Sequence, residues 1–159
     1  RLLKDCGLAG ARVLDGTARD EAWRAVGEMP QRAFTDATAG MKWGVLPTQV
    51  AELIARAGAV ASQRGLRAAF VAHAGVGIIS AVLGAAGADA EQVACTLGEW
   101  RALVNGSGGH ALVEWAPLAV KERIAVWDTP GPDSRIMRQL KAELDPRGIL
   151  NPGRFVGGI

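Results

Sequence analysis

The sequence predicts an α+β fold, a ferredoxin-like antiparallel sheet with helices packed on one face. The first observation is size: 159 residues, 49% of them apolar and 21% charged, fit one globular domain. The second is the order of the predicted elements: strand, helix, two strands, helix, strand, which is the split βαβ arrangement. The third is an extra predicted helix at each flank of that pattern.

The amino-terminal elements have the weakest patterns. Residues 1–10 read like the last turns of a helix closed by glycine, and residues 11–16 like a short edge strand. Residues 18–30 carry apolar side chains at helical spacing and predict a helix that Pro30 stops. Because the chain opens inside a predicted helix, we expect it to be part of a longer polypeptide.

The central elements are better defined. Residues 41–47 alternate like a strand, and Pro47 opens a helix that Gly65 ends. The apolar face of this helix contains Val50, Leu53, Ile54, Ala57 and Val60. The uncharged stretch from residue 68 to residue 88 has the length of a membrane span, but His73, Ser80 and glycines interrupt it. Two short strands joined at Gly75–Gly77 are therefore expected.

The next predicted elements are a helix, a strand, a loop and a second helix. Residues 89–106 predict a helix with Asp89 as N-cap and an apolar stripe of Val93, Leu97, Trp100 and Val104. Residues 110–117 have the period of a strand, with Ala111, Val113 and Trp115 on one side. Residues 118–133 read as a surface loop. Residues 134–146 predict a helix with the apolar positions Ile136, Met137, Leu140 and Leu144, ended by Asp145-Pro146.

Charge and cysteine content exclude several classes of protein. The net charge is +2, and basic and acidic residues alternate, so no nucleic-acid footprint or polybasic membrane patch is present. No secretory signal pattern opens the chain. Cys6 and Cys95 are isolated, which predicts neither a disulfide framework nor a metal knuckle and favours a reducing cytoplasm.

The end of the chain carries the most specific motif. In DPRGILNPG, residues 145–153, Asp145 and Pro146 break the helix, Gly148 permits a positive φ, and a second turn follows. This segment resembles the closing signature of FAD-linked oxidases of the vanillyl-alcohol oxidase type. That family includes D-lactate and D-2-hydroxyglutarate dehydrogenases and the flavin-type subunits of bacterial glycolate oxidase. The resemblance implies a tail that returns from a cap domain toward a flavin-binding domain.

Three further segments resemble that family in the same order along the chain. MKWGVLPTQV resembles a strand with a basic residue and Leu-Pro, which implies that Lys42 faces the substrate carboxylate. FVAHAGVGIIS and NGSGGHALVEWAP resemble the histidine-bearing segments of the catalytic dehydrogenases, which implies catalytic roles for His73 and His110. The closing signature implies that Asn151 and Gly153 bind the cofactor.

The chain departs from the metal-dependent relatives at their metal ligands. His73 remains, but Ser80 stands at the second histidine, Val76 at the aspartate and Gly109 at the glutamate. Because a divalent site needs three or four protein ligands, no metal site is expected. These departures make the chain most similar to the FAD-binding subunit of bacterial glycolate oxidase, a shortened paralogue of the catalytic subunit.

The resemblance implies an FAD-dependent 2-hydroxy-acid oxidoreductase that converts glycolate to glyoxylate. Residues 1–144 would be a cap domain truncated at its amino terminus, and residues 145–159 the returning tail. FAD would belong to the intact protein, and the isolated fragment would bind none and be inactive. The implied partners are the catalytic flavin subunit and the iron–sulfur subunit, in the cytoplasm or at the inner face of the membrane, with no nucleic acid.

Other interpretations of the same residues stay open. The chain is also compatible with the cap of another dehydrogenase, such as a D-lactate dehydrogenase, or with a non-enzymatic ferredoxin-like module that binds a ligand or oligomerises. His73 reads equally as a core or turn histidine, and Lys42 as an exposed strand residue. If Trp115 and Trp127 are exposed together, they predict a docking surface for a partner subunit.

Overall fold

The computed structural model describes residues 12–159, which form four strands and five α-helices. In chain order these are α1 Gly16–Arg32, β1 Ala37–Gly44, α2 Val50–Gln63, β2 Arg67–His73, β3 Ile78–Gly84, α3 Ala90–Gly106, β4 His110–Trp115, α4 Leu118–Lys121 and α5 Ser134–Leu144. The predictions for residues 1–10, Cys6 among them, lie outside the described residues.

The four strands make one antiparallel sheet in the order β2-β3-β1-β4. This order confirms the predicted α+β class, because β1–α2–β2 and β3–α3–β4 are the two halves of a split βαβ unit. The uncharged stretch from residue 68 to residue 88 forms the β2–β3 hairpin, as predicted. No helix within residues 12–159 combines the length and apolar character that a membrane crossing requires.

One face of the sheet carries the core under α2 and α3. Met41 and Trp43 of β1 point to this face and are fully buried, as are the alternate residues of β3. Trp43, Phe70 and Trp100 form an aromatic cluster with ring centroids 5.6 to 5.8 Å apart. The indole nitrogen of Trp100 donates to the Ala57 carbonyl at 2.9 Å, which satisfies the buried polar atom of α3 against α2.

The other face of the sheet has neither α2 nor α3 over it, and we call it the open face. In the antiparallel register, Lys42 lies opposite both Ser80 and Leu112, so these three side chains share the open face. At one end of that face Phe34, which follows α1, lies over Gly84; a Cβ at Gly84 would stand 2.8 Å from its ring. The part of the open face formed by the ends of β1 and β4 lies beside the segment after β4.

Three expectations from the sequence are wrong in detail. Residues 12–15 form no strand, because the left-handed backbone of Gly16, at φ +47°, turns the chain directly into α1; they pair with none of the four described strands. Pro30 does not stop α1, which continues to Arg32, since a proline this close to the end disrupts only the final turn. Residues 118–133 contain the short helix α4 within the predicted loop.

Candidate functional site

A cleft of about 410 Å³ lies on the open face beside β1 and β4. Its floor is the ends of these two strands, and its opposite wall is the segment that leads from β4 into α5, together with the tail. The side chains that line it include Lys42, Ile78, His110, Leu112, Trp127, Asp128, Met137 and Phe155. The cleft is therefore mostly apolar, with a few polar groups, as expected of a site for a small ligand.

Lys42 reaches the cleft because of strand alternation. Its neighbours Met41 and Trp43 are buried in the core, so Lys42 points to the open face. Its ammonium nitrogen pairs with the Glu114 carboxylate at 2.8 Å. An ammonium group has three donors, so one carboxylate partner leaves it able to bind a second.

His110 is the first residue of β4, and its side chain is 89% exposed. It lies opposite Gly44, while Lys42 lies opposite Leu112, so Lys42 and His110 are diagonal neighbours on adjacent strands. Diagonal neighbours of an antiparallel pair stand roughly 7–8 Å apart. The structure thus places two of the predicted site residues close together. Lys42 offers a cation for the carboxylate of a hydroxy acid, and His110 offers an imidazole for its hydroxyl.

Two glycines shape this end of the cleft. A Cβ at Gly44 would meet no atom within 4 Å, which leaves open space beside His110. A Cβ at Gly109 would stand 2.7 Å from the Gly44 carbonyl oxygen and 2.8 Å from Val45. Only glycine lets the loop before β4 approach β1 this closely, so a glutamate at position 109 would displace the backbone that carries His110.

Asp128 also lines the cleft, although no motif in the sequence pointed to it. Its Oδ2 accepts the Ala111 backbone N–H at 2.6 Å and lies 3.9 Å from His110 Nδ1. Its Oδ1 lies 3.2 Å from Arg101 Nε and accepts from Asn105 Nδ2 at 3.3 Å. Burial lowers the pKa of Arg101, and the Asp128 carboxylate opposes that shift. The segment is fixed beside β4 by the Val113 N–H, which donates to the Val126 carbonyl at 2.9 Å.

His73 lies apart from Lys42 and His110. His73 is the last residue of β2. Along one rung of the sheet, His73 pairs with Ile78, Ile78 with Gly44, and Gly44 with His110. The two histidines therefore share one rung and one face but are separated by three strand spacings, roughly 14 Å. His73 is exposed and does not line the cleft.

The tail after α5 is held by one buried carboxylate. Asp145 accepts the backbone N–H groups of Ile149 and Leu150 at 3.0 and 2.9 Å, and pairs with Lys141 Nζ at 2.7 Å. The hydrogen bond from Lys141, followed by the one from the Leu150 N–H, lowers the pKa of Asp145 to about 2. The motif is thus a helix stop whose first residue also fastens the turn that follows it.

Asn151 and Gly153 form the second turn of the tail, both with left-handed backbone at φ 47° and φ 70°. Both are exposed. Asn151 lines a second groove of about 760 Å³, between α5 and the tail, and not the cleft with Lys42 and His110. The two cavities are neighbours, since Met137 and Phe155 line both.

The two tryptophans do not form a shared exposed surface, so the condition for that docking prediction is not met. The indole of Trp115 covers Gly40, where a Cβ would stand 2.3 Å from its nitrogen. Trp127 packs against Phe155 with ring centroids 5.3 Å apart and donates to the Arg154 carbonyl at 3.2 Å. This contact closes the tail against the wall of the cleft.

A different apolar surface is exposed, along α5 and the first tail turn. Ile136, Leu140 and Leu144 recur every four residues and are 57%, 56% and 78% exposed. Ile149 and Leu150 extend this surface, which we call the α5 stripe. Ser134 is the buried residue of α5, and Asp145, directly after the helix, is buried as well.

Comparison with known proteins gives one family. A family model described as FAD linked oxidases, C-terminal domain, matches residues 15–155. The match contains all four strands, the cleft and the tail turn at Asp145. No curated protein matches the chain. Within residues 12–159, no three His, Cys, Asp or Glu side chains stand close enough together to hold a metal ion.

Proposed function

Because the chain belongs to the FAD-linked oxidases as their C-terminal domain, we propose that its cleft is one wall of the pocket in which an FAD-dependent enzyme oxidises a small 2-hydroxy acid, with glycolate as the substrate. The observation that carries this proposal is the diagonal pairing of Lys42 and His110 at the floor of an apolar cleft. A 2-hydroxy acid carries a carboxylate and a hydroxyl on adjacent carbons. One cation and one neutral imidazole are the groups that would recognise these two functions.

In this proposal each side chain has a separate task. Lys42 binds the substrate carboxylate with the donors that Glu114 leaves free, and so orients the hydroxyl toward His110. His110 accepts the hydroxyl proton on an imidazole nitrogen. FAD, when bound, supplies the acceptor for the hydride. The apolar wall of Trp127, Met137 and Phe155 excludes water from these groups.

In this proposal the ring end of FAD would lie against the described residues, and another segment of the intact protein would hold its pyrophosphate. The open space beside Gly44 admits a flat ring against the backbone. An anionic pyrophosphate favours a helix amino terminus with free N–H groups. The Asp89 carboxylate already occupies the start of α3, where it accepts the Gln92 N–H at 2.7 Å, and Asp15 precedes α1.

The α5 stripe and the tail are proposed to face the FAD-binding domain. In this arrangement Asn151 and Gly153 would present their turn to that domain and would help to hold the cofactor there. His73, on the same rung as His110 but outside the cleft, would contact FAD and not the hydroxy acid. The proposed partners are the catalytic flavin and iron–sulfur subunits of a glycolate oxidase, with the complex in the cytoplasm or at the inner face of the membrane.

The proposal is tested on the chain joined to its natural upstream region. We expect bound FAD and bleaching of the flavin absorbance by glycolate. Lys42→Gln should raise KM for glycolate about tenfold or more, and His110→Asn should lower kcat by a factor of roughly 10² or more. Lys121→Gln, on exposed α4, is the matched control and should change neither.

Bleaching by D-lactate and not by glycolate would assign the enzyme to another hydroxy-acid dehydrogenase. A flavin that neither acid bleaches would contradict the proposed reaction. Loss of FAD from the Lys42 and His110 variants would instead show that these residues serve cofactor binding alone.

A further inference from the structure

We propose that Asp128 is a positioning residue for His110, which holds the imidazole with its proton on Nδ1 and leaves Nε2 facing the cleft as the proton acceptor. The catalytic meaning of this inference rests on the function proposed above, whereas the tautomer itself is a property of the chain. Nothing in the sequence pattern had assigned Asp128 a role.

Asp128 is anchored far more firmly than His110. Its side chain is 15% exposed, and the Ala111 N–H, Arg101 and Asn105 all contact its two oxygens. The His110 side chain is 89% exposed, so its ring has room to rotate. The carboxylate is therefore the fixed partner and the imidazole the adjustable one.

The chemistry follows from what each atom can do. An ionised carboxylate only accepts hydrogen bonds, so the ring nitrogen that faces it must be the one that carries the proton. His110 Nδ1 is the atom near Asp128, at 3.9 Å from Oδ2. This separation is longer than a hydrogen bond, and catalytic contacts of this kind commonly tighten when a ligand binds. The ring is exposed and the carboxylate is not, so in this proposal the ring is the group that moves.

The surrounding contacts also fix which oxygen of the carboxylate is available to the imidazole. Arg101 is buried to the same degree as Asp128 and stands 3.2 Å from Oδ1, which leaves Oδ2 for Ala111 and His110. Arg101 in turn donates to the Ala125 carbonyl at 2.6 Å, so the segment that carries Asp128 is fixed to α3. The site thus has a charge-compensated anchor behind the imidazole.

The test measures the tautomer of His110 by nitrogen NMR of the chain labelled with 15N-histidine. The sequence contains two histidines, so His73, which has no such carboxylate among its described contacts, is an internal reference. At a pH where both rings are neutral, the ratio of the Nδ1–H to the Nε2–H form should be roughly two- to fivefold higher for His110 than for His73. Asp128→Asn should bring the His110 ratio to that of His73, and Asn105→Ala, which removes a contact to Oδ1 only, should leave it unchanged.

Equal tautomer ratios for the two histidines in the unmodified chain would overturn the inference, and this outcome needs no variant to fold. A His110 ratio that Asn105→Ala lowers as much as Asp128→Asn would overturn it too, since a general loosening of the loop would then be the cause. In the longer flavin-containing protein, Asp128→Asn should lower kcat at least about tenfold with KM for glycolate nearly unchanged. A native enzyme inactive toward hydroxy acids, with the expected tautomer, would contradict the proposed function and leave the role of Asp128 on His110 standing.

Discussion

Gly109→Ala tests whether the close approach of the β4 loop to β1 is what holds the cleft in shape. The added Cβ would stand 2.7 Å from the Gly44 carbonyl oxygen, 2.8 Å from Val45 Cγ1 and 3.1 Å from Val104 Cγ1. The nearest of these atoms is backbone, which cannot turn aside as the end of a long side chain does. Relief of the overlap therefore requires the strand ends that carry Gly44 and His110 to separate.

Two opposing effects set the magnitude. Replacing glycine with alanine stabilises by about 0.4–1 kcal/mol where the native backbone accepts the side chain, because the unfolded chain loses freedom. Overpacking of a well-packed site costs about 1–3 kcal/mol. The difference of the two ranges is a net loss of about 0–2.6 kcal/mol, and its midpoint of about 1.3 kcal/mol corresponds to a melting temperature roughly 3–5 °C lower for a domain of this size.

The assay is thermal unfolding of the chain followed by circular dichroism, with Gly98→Ala as the matched control. Gly98 lies within α3, and a Cβ there would meet no atom within 4 Å beyond its own helix. Helix propensity alone should make Gly98→Ala more stable by about 0.5–1 kcal/mol. Gly109→Ala should thus lower the stability of the chain, and Gly98→Ala should raise it. A Gly109→Ala protein as stable as the native chain would refute the argument that the contact to Gly44 restricts this position.

Three further substitutions test the tail turn, the ion pair of Lys42 and the contact between Trp127 and Phe155. Asp145 has its pKa lowered from 3.8 to about 2, so its contribution to folding is complete above pH 3.8 and is lost as the pH falls toward 2. Asp145→Asn should remove that acid-dependent step from the unfolding of the tail turn, as measured by amide hydrogen exchange at Leu150. Glu114→Gln should lower KM for glycolate roughly two- to fivefold by releasing Lys42, and an unchanged KM would show that the ion pair does not compete with substrate. Phe155→Ala should cost about 0.5–1.5 kcal/mol of the contact with Trp127 and increase the solvent exposure of that indole, read by its fluorescence.

The fold was predictable because the signals that define its elements are local. Alternation predicted β4 and the second half of β1, which begins at Ala37 and not at Met41. The capping carboxylate of Asp89, together with the stripe that includes Leu97 and Trp100, predicted α3. The edge strand expected at residues 11–16 failed for the opposite reason. A strand needs a free neighbour in the sheet, and that neighbour is set by the tertiary structure, which alternation does not report.

Only part of the candidate site was predictable from the sequence. Lys42 and His110 were individually identified by resemblance, but their diagonal pairing depends on the β1–β4 register, which shifts at a bulge beside Gly40 and Met41. A bulge of this kind leaves no mark in the hydrophobic pattern. Asp128 lies in a stretch with no periodicity at all. It meets the site only because the chain after α4 returns alongside β4.

The Asp145 turn at the end of α5 and the α5 stripe differ in their contacts. The Asp145 turn is hydrogen-bonded within this chain, whereas the α5 stripe is exposed. Burial of a Leu or Ile side chain contributes about 1.5–3 kcal/mol. Ile136, Leu140 and Leu144 are each more than half exposed, so a partner that buries them would gain more than half of this stabilisation. A surface of this kind is typical of an interaction site. Since Phe155 lines both the cleft and the groove beside the stripe, a domain that covers Leu140 and Leu144 would also press the tail onto the cleft. In the proposed function, such docking would help to exclude water from the cleft.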